Sequence, residues 1–158
     1  MTTHATAAGT AKYTQRFPGR AADGHFRESQ GLVLSSIGIG TYLGPPSDKA
    51  DQAYAACIAR SVESGINVID SAINYRFQRS ERCIGAAIKH LLKQGYSREE
   101  FVLCTKGGYL TPDGSMPSDP NDYFYREYVP GNRDEEFRRV AIRDCGGSRR
   151  RCNQRRDC

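Results

Sequence analysis

Three short apolar runs in the central part of the chain are typical of buried β-strands. They are rich in β-branched or aromatic side chains, which suit the pleated surface of a sheet. The runs cover residues 36–40, 66–69 and 101–104. Just upstream, residues 25–35 predict a hairpin that turns at Gln30-Gly31 and leads into the first of these strands.

Between the strands, apolar residues recur at the spacing of a helix. Ser47 or Asp48 can cap a helix that ends near Gly65, and a second helix is predicted from about Ser80 to Gly95. Strands that alternate with helices favour right-handed crossovers and a parallel sheet, whose strand ends all lie at one edge. The pattern therefore predicts an α/β domain of about three βα units.

The two ends of the chain do not follow this pattern, so we place the α/β domain at residues 25–132. Residues 1–24 are small and polar, with too little apolar surface to offset the entropy of ordering, and we interpret them as a flexible leader. Residues 107–132 have the composition of a loop that could cover a site. Residues 133–158 form a tail rich in arginine and cysteine that is expected to lie outside the fold.

The tail at residues 133–158 admits two explanations. It contains nine arginines against five acidic residues, and so carries most of the net charge of +5. It could be a disordered basic segment that binds nucleic acid electrostatically, with Arg149–Arg151, Arg155 and Arg156 as the contacts. It could also be translated from a shifted reading frame. An excess of arginine and cysteine with no helical or strand periodicity is typical of unselected codons. We favour the second hypothesis, which leaves nucleic-acid binding as the weaker alternative.

Composition favours a cytoplasmic protein that does not enter the membrane. No run approaches the roughly 18 apolar residues of a spanning helix, and the N-terminus lacks the apolar core of a secretory signal. The six cysteines are therefore expected to be free thiols. Cys57, Cys83 and Cys104 fall on apolar faces and are interpreted as core residues. The spacing of the other cysteines does not favour zinc, so no metal site is predicted.

Candidate catalytic residues follow two of the predicted strands. Asp70 ends the second apolar run, Tyr75 lies on the loop after it, and Lys106 follows the third run. Because the ends of parallel strands meet at one edge of a sheet, these side chains are expected to converge.

Together these three residue types can form a general acid. A tyrosine hydroxyl titrates at about 10, an adjacent ammonium favours the phenolate, and a carboxylate keeps that ammonium charged. Such a group could protonate a carbonyl oxygen. Hydride for the carbon would come from a nicotinamide cofactor, since no side chain supplies it. The alternative is that Asp70 and Lys106 form a structural ion pair while Tyr75 only packs.

Several motifs, taken together, resemble the aldo-keto reductase family. They are Ile39-Gly40-Thr41, Gly65–Ala72 with Tyr75, Ser80-Glu81 followed by Ile84-Gly85, and Thr105-Lys106. The resemblance implies a (β/α)8 TIM barrel that reduces an aldehyde or ketone to an alcohol. It also implies that Tyr75 is the general acid and that Lys106 and Asp70 tune it.

The same resemblance implies NADPH or NADH as cofactor and a small carbonyl compound as substrate. Gly40, Thr41, Tyr42 and Asp70 would line the nicotinamide side.

The chain also departs from the family pattern. The family has a further catalytic histidine after the next strand, whereas all three histidines here precede Lys106. A full barrel takes about 250 residues. We therefore predict the N-terminal part of a truncated barrel that is weakly active or inactive alone, and the sequence does not specify its oligomeric state.

Overall fold

A computed structural model describes residues 4–128 of the chain. The tail predicted at residues 133–158 lies outside the described residues. The contacts divide the chain into two compact units, the first ending at Ser115 and the second beginning at Met116.

The described part of the first unit contains five strands, three helices and a 3₁₀ turn, and one described helix lies in the second unit. The elements are α1 (Ala7–Thr14), β1 (Phe26–Ser29), β2 (Leu32–Ser35), β3 (Ile39–Gly40), α2 (Asp48–Glu63), β4 (Val68–Asp70), α3 (Arg79–Lys93), a 3₁₀ turn (Arg98–Glu100), β5 (Val102–Cys104) and α4 (Pro120–Tyr128). This order confirms the predicted alternation of strands and helices from residue 36 to residue 104.

The central sheet is parallel, with strand order β3-β4-β5. Gly40 lies opposite Asp70, and Asp70 lies opposite Cys104, so the three strands end at the same level. The strands β1 and β2 form a separate antiparallel hairpin, as predicted. Within the described residues the sheet has three strands and does not close into a barrel.

Each helix of the first unit buries one face. Ser47 caps α2 by accepting a hydrogen bond from the Ala50 amide, and a capping box joins Ser97 and Glu100 at the 3₁₀ turn. The buried core consists mainly of side chains from α1, α2, α3 and the strands, namely Tyr13, Phe17, Ile58, Ala59, Val62, Ile69, Cys83, Ile84, Ala87, Ile88, Leu91 and Phe101. The core therefore lies between the helices and the sheet, which leaves the carboxyl ends of the strands free to form a site.

The flexible leader predicted over residues 1–24 is wrong for the residues that form α1. Thr6 caps this helix, and its last turn places Tyr13 at 0% exposure in the core. The Tyr13 hydroxyl donates to the carbonyl oxygen of Val62 at 2.5 Å. Arg16 binds the buried Glu100 carboxylate at 2.6 Å. The aromatic ring and the ion pair supply the burial that the small, polar composition concealed.

Two further expectations are corrected by the structure. The segment predicted as a loop at residues 107–132 contains α4, where the Asp119 carboxylate accepts from the Asp122 amide and a proline occupies the first turn. Of the cysteines predicted to be core residues, only Cys83 is buried, whereas Cys57 and Cys104 are exposed.

In the part of the chain that is described, no helix is long and apolar enough to cross a membrane.

Candidate active site

The parallel sheet brings Asp70 and Lys106 to one edge. Asp70 is the last residue of β4, and Lys106 follows the end of β5. The ladder continues past the strands, because the Ser71 amide donates to Cys104 at 2.8 Å and the Ile73 amide donates to Lys106 at 3.0 Å. The backbone on both sides of the site is therefore fixed before any side chain contributes.

Lys106 is held by three oxygen atoms. Its Nζ lies 2.8 and 2.7 Å from the two carboxylate oxygens of Asp70 and 2.7 Å from the carbonyl oxygen of Ser71. The hydrogen bond to Asp70, with a smaller contribution from Tyr75, outweighs desolvation and raises the pKa of Lys106. Lysine at this position is therefore a cation at neutral pH. Both side chains remain about half exposed, at 50% and 45%.

The ring of Tyr75 lies beside this ion pair. The Lys106 Nζ is 5.1 Å from the centre of the Tyr75 ring. The rings of Tyr42 and Tyr75 meet edge to face, with centroids 4.9 Å apart. The structure thus brings together Asp70, Tyr75 and Lys106, and it places Tyr42 beside them.

The residues predicted to line a cofactor fall into two groups. Gly40 is exposed, and a Cβ atom added to it would meet nothing within 4 Å. Tyr42 is 65% exposed, whereas Thr41 is completely buried. Thr41 Oγ1 lies 3.0 Å from both the Asp70 carbonyl oxygen and Ser71 Oγ. Its side chain therefore supports the strand end from beneath, and the open surface belongs to Gly40 and Tyr42.

Sequence reasoning missed the residues that support the site. Ser80 Oγ donates to the carbonyl oxygen of Thr41 at 2.7 Å, which joins the start of α3 to the end of β3. Arg76 is buried, and three consecutive residues from Arg76 to Gln78 adopt left-handed backbone angles. No glycine marks this turn. Only the motif Ser80-Glu81 gave a signal for these contacts.

Other candidate groups lie away from this edge or are not assembled. His90 is exposed on α3 and its Nε2 lies 3.1 Å from Gln94 Nε2. Among residues 4–128, no group of three or more histidine, cysteine or acidic side chains could hold a metal ion.

Comparison with known proteins gives one family. A family model described as the aldo/keto reductase family matches residues 36–141. This segment contains the parallel sheet and all of the site residues, and it runs past the boundary that we predicted at residue 133.

Two curated relatives agree with the family match. The chain is 38% identical over 84 residues to the NADH-specific methylglyoxal reductase of Escherichia coli (strain K12), covering 50% of this chain and 24% of the relative. It is 32% identical over 101 residues to the uncharacterized oxidoreductase YqkF of Bacillus subtilis (strain 168), covering 62% of this chain and 30% of the relative. The chain therefore spans 24% and 30% of the length of these two relatives, less than a third of either.

Proposed function

Because the chain belongs to the aldo/keto reductase family, we propose that it carries the proton-donating part of a nicotinamide-dependent carbonyl reductase. One observation supports this proposal above the others. The cationic Lys106 is bound to Asp70 at 2.7 Å and lies 5.1 Å from the ring of Tyr75, at the carboxyl edge of a parallel sheet. A structural ion pair alone would not need a tyrosine at that distance on the open side.

Each of the three side chains has a distinct role in this proposal. Tyr75 donates its phenolic proton to the carbonyl oxygen of the substrate. Lys106 stabilises the phenolate that remains, because its positive charge lies close to the ring. Asp70 keeps Lys106 protonated and holds its ammonium at the sheet edge, as the raised pKa of Lys106 indicates.

The open surface beside this trio fits a nicotinamide ring. Gly40 leaves its strand end bare, and the exposed Tyr42 ring borders the same space next to Tyr75. Reduced nicotinamide would supply hydride to the carbonyl carbon there. Gly40, Tyr42 and Asp70 would border it, while the buried Thr41 keeps the strand end in place. The Escherichia coli relative is named as NADH-specific; for this chain we propose NADH or NADPH.

The substrate class follows from the same chemistry. The group protonated by Tyr75 must be a carbonyl oxygen, so we propose a small aldehyde or ketone. Methylglyoxal, which the name of the Escherichia coli relative specifies, is a suitable first compound. The basic residues of the alternative nucleic-acid hypothesis lie outside the described residues, and no observation favours it.

The 158-residue polypeptide is expected to have low turnover when expressed alone. The sheet over residues 4–128 has three strands, whereas loops of the later strands usually contribute to sites of this fold. The turnover is measured directly from the change in absorbance as NADH or NADPH is oxidised in the presence of methylglyoxal. Ordinary reductase turnover by the purified polypeptide would contradict the expectation of weak activity, although not the proposed roles of the side chains.

The roles themselves are tested in a chimera. Residues 36–115 of this chain would replace the corresponding segment of the Escherichia coli relative, which provides the rest of a barrel. Tyr75→Phe is expected to lower kcat by about a hundredfold to ten-thousandfold, the usual contribution of a general acid. Lys106→Met is expected to lower it similarly because the phenolate loses its neighbouring cation.

The matched control is Tyr96→Phe, which removes a hydroxyl from a tyrosine that packs against Tyr13 and Phe101 instead of the site. Its kcat should stay at the level of the unsubstituted chimera. A folded, active chimera in which Tyr75→Phe is as active as this control would refute the proposed role of Tyr75.

A further inference from the structure

The segment that follows Tyr75 has an unusual backbone. Arg76, Phe77 and Gln78 have φ angles of 50°, 57° and 67°, the left-handed region that side-chain-bearing residues rarely adopt. Such conformations persist only where the surrounding structure over-determines them. The contacts of this turn therefore indicate what it is held for.

One side of the turn is held by the side chain of Arg76, which is 1% exposed. Its Nε donates to the carbonyl oxygen of Pro45 at 3.2 Å, on the segment between β3 and α2. Its terminal nitrogen binds the Asp51 carboxylate on α2, and its guanidinium carbon lies 4.7 Å from the centre of the Tyr54 ring. One buried side chain thus joins the turn to the segment that follows Tyr42.

Asp51 remains an anion in this arrangement. Partial burial alone would raise its pKa, but hydrogen bonds from Arg79 and Arg76 outweigh the burial and lower it. Arg79 Nε donates to the second oxygen of Asp51 at 2.8 Å. Arg76 is therefore anchored by a charged carboxylate on α2, and Arg79 at the start of α3 holds that carboxylate in place.

The other side of the turn is held by the segment after β5. The Gly114 amide donates to the carbonyl oxygen of Phe77 at 2.9 Å, and Gln78 Nε2 lies 3.4 Å from the carbonyl oxygen of Thr111. Arg82 on α3 binds Asp113 at 2.6 Å. The turn therefore connects the segments that follow all three strands of the parallel sheet.

We propose that Arg76 is a positioning residue, which holds the left-handed turn so that the Tyr75 ring stays over Lys106 and against Tyr42. This inference rests on the proposed role of Tyr75 as proton donor. The guanidinium of Arg76 binds Pro45 and Asp51, so Arg76 acts on Tyr75 only through the backbone of the turn. The turn starts at the residue after Tyr75, so the direction of the Tyr75 side chain is set by the conformation that Arg76 stabilises.

The test measures the position of Tyr75 without using catalysis. In isotope-labelled chain, nuclear Overhauser effects report the contacts of the Tyr75 ring with the Lys106 side chain and with the Tyr42 ring. Arg76→Lys keeps the charge next to Asp51 but loses the planar fork and its stacking on Tyr54. Release of Tyr75 among three staggered rotamers should weaken both signals about threefold.

Contacts within the core provide the reference signals. The effect between Tyr13 and Phe101, whose ring centroids are 6.4 Å apart, should remain unchanged in Arg76→Lys. The matched control is Asp48→Asn, since Asp48 is an exposed partner of Arg79 in the same network and makes no ion pair with Arg76. It should leave both Tyr75 signals at the level of the unsubstituted chain.

Two results would overturn the proposal. In the first, Arg76→Lys keeps both Tyr75 signals at full intensity. In the second, Arg76→Lys loses the core signal together with the Tyr75 signals, which would make Arg76 a residue of general stability. Neither outcome depends on reductase activity, so the position of Tyr75 and the proposed function can fail separately.

Discussion

Replacement of Tyr13 by alanine tests whether the N-terminal helix belongs to the fold. The Tyr13 side chain is completely buried, and its ring packs against Phe17, Phe26, Tyr96 and Phe101, with centroids 5.1, 6.0, 6.4 and 6.4 Å away. Loss of a buried aromatic ring costs about 3–5 kcal/mol, through lost transfer energy and the cavity left behind. Tyr13→Ala should therefore lower the free energy of unfolding by about that amount.

Tyr13→Phe separates the hydroxyl from the ring. Burial raises the pKa of Tyr13 far above its usual range, so the hydroxyl keeps its proton and donates to the carbonyl oxygen of Val62. That oxygen also accepts from the Gly65 amide, so it keeps a partner in the variant. The loss should be about 1 kcal/mol, the net value of a typical hydrogen bond.

Urea unfolding of the chain, followed by circular dichroism, measures both variants against Tyr109→Ala. Tyr109 is 73% exposed, and a surface substitution of this kind usually changes stability by less than about 0.5 kcal/mol. If Tyr13→Ala is no less stable than Tyr109→Ala, the docking of α1 described above is refuted, and the leader is flexible after all.

Two further predictions concern α1 and the Arg76 network. Gly9→Ala should destabilise the chain by about 1–3 kcal/mol through overpacking, because the added Cβ would lie 2.4 Å from the carbonyl oxygen of Glu99. The control Gly85→Ala should be neutral or stabilising, because its added Cβ has nothing within 4 Å. Equal urea midpoints for the two variants would contradict this prediction. Asp51 has a lowered pKa in the folded chain, so its contribution to the free energy of unfolding is present above its unfolded pKa of about 3.9 and is lost as pH falls through the folded value. The stability difference between the chain and Asp51→Asn should therefore be largest at neutral pH and vanish in acid. A difference that does not depend on pH would exclude this linkage.

The elements that sequence predicted correctly are those whose signals are local. The capping serine Ser47 and the turn at Gln30-Gly31 each act within a few residues. The helix α1 was missed because its stability comes from distant residues. Tyr13 donates to Val62, and Arg16 pairs with Glu100, and no pattern within residues 1–24 reports these contacts.

The exposed cysteines illustrate the same limit at the level of single residues. Cys57 follows the apolar spacing of α2, yet the buried face of that helix consists of Ile58, Ala59 and Val62. Cys104 ends an apolar strand, but it lies at the open edge of the sheet beside Asp70. The spacing of apolar residues located the helix and the strand, whereas the packing decided which of their side chains are buried.

The site divides in the same way into a predictable and an unpredictable part. Asp70 and Lys106 could be found because each follows an apolar strand, and parallel strands end at a common edge. The turn from Arg76 to Gln78 gave no signal, since left-handed angles are usually marked by glycine and the sequence there is Arg-Phe-Gln. The residues proposed to do the chemistry were visible in the sequence, whereas the residues proposed to position them were not.

This division bears on how Tyr75 can be held. The ion pair between Lys106 and Asp70 is half exposed on both sides, and exposed pairs fix geometry weakly because water competes for both partners. Arg76, by contrast, is 1% exposed and binds a carboxylate, a carbonyl oxygen and an aromatic face. The charge at the site is thus supplied by the open edge of the sheet, whereas rigidity is supplied from behind by the buried arginine. A variant that loses Lys106 should therefore lose the electrostatic contribution while Tyr75 stays in place, and one that loses Arg76 should do the reverse.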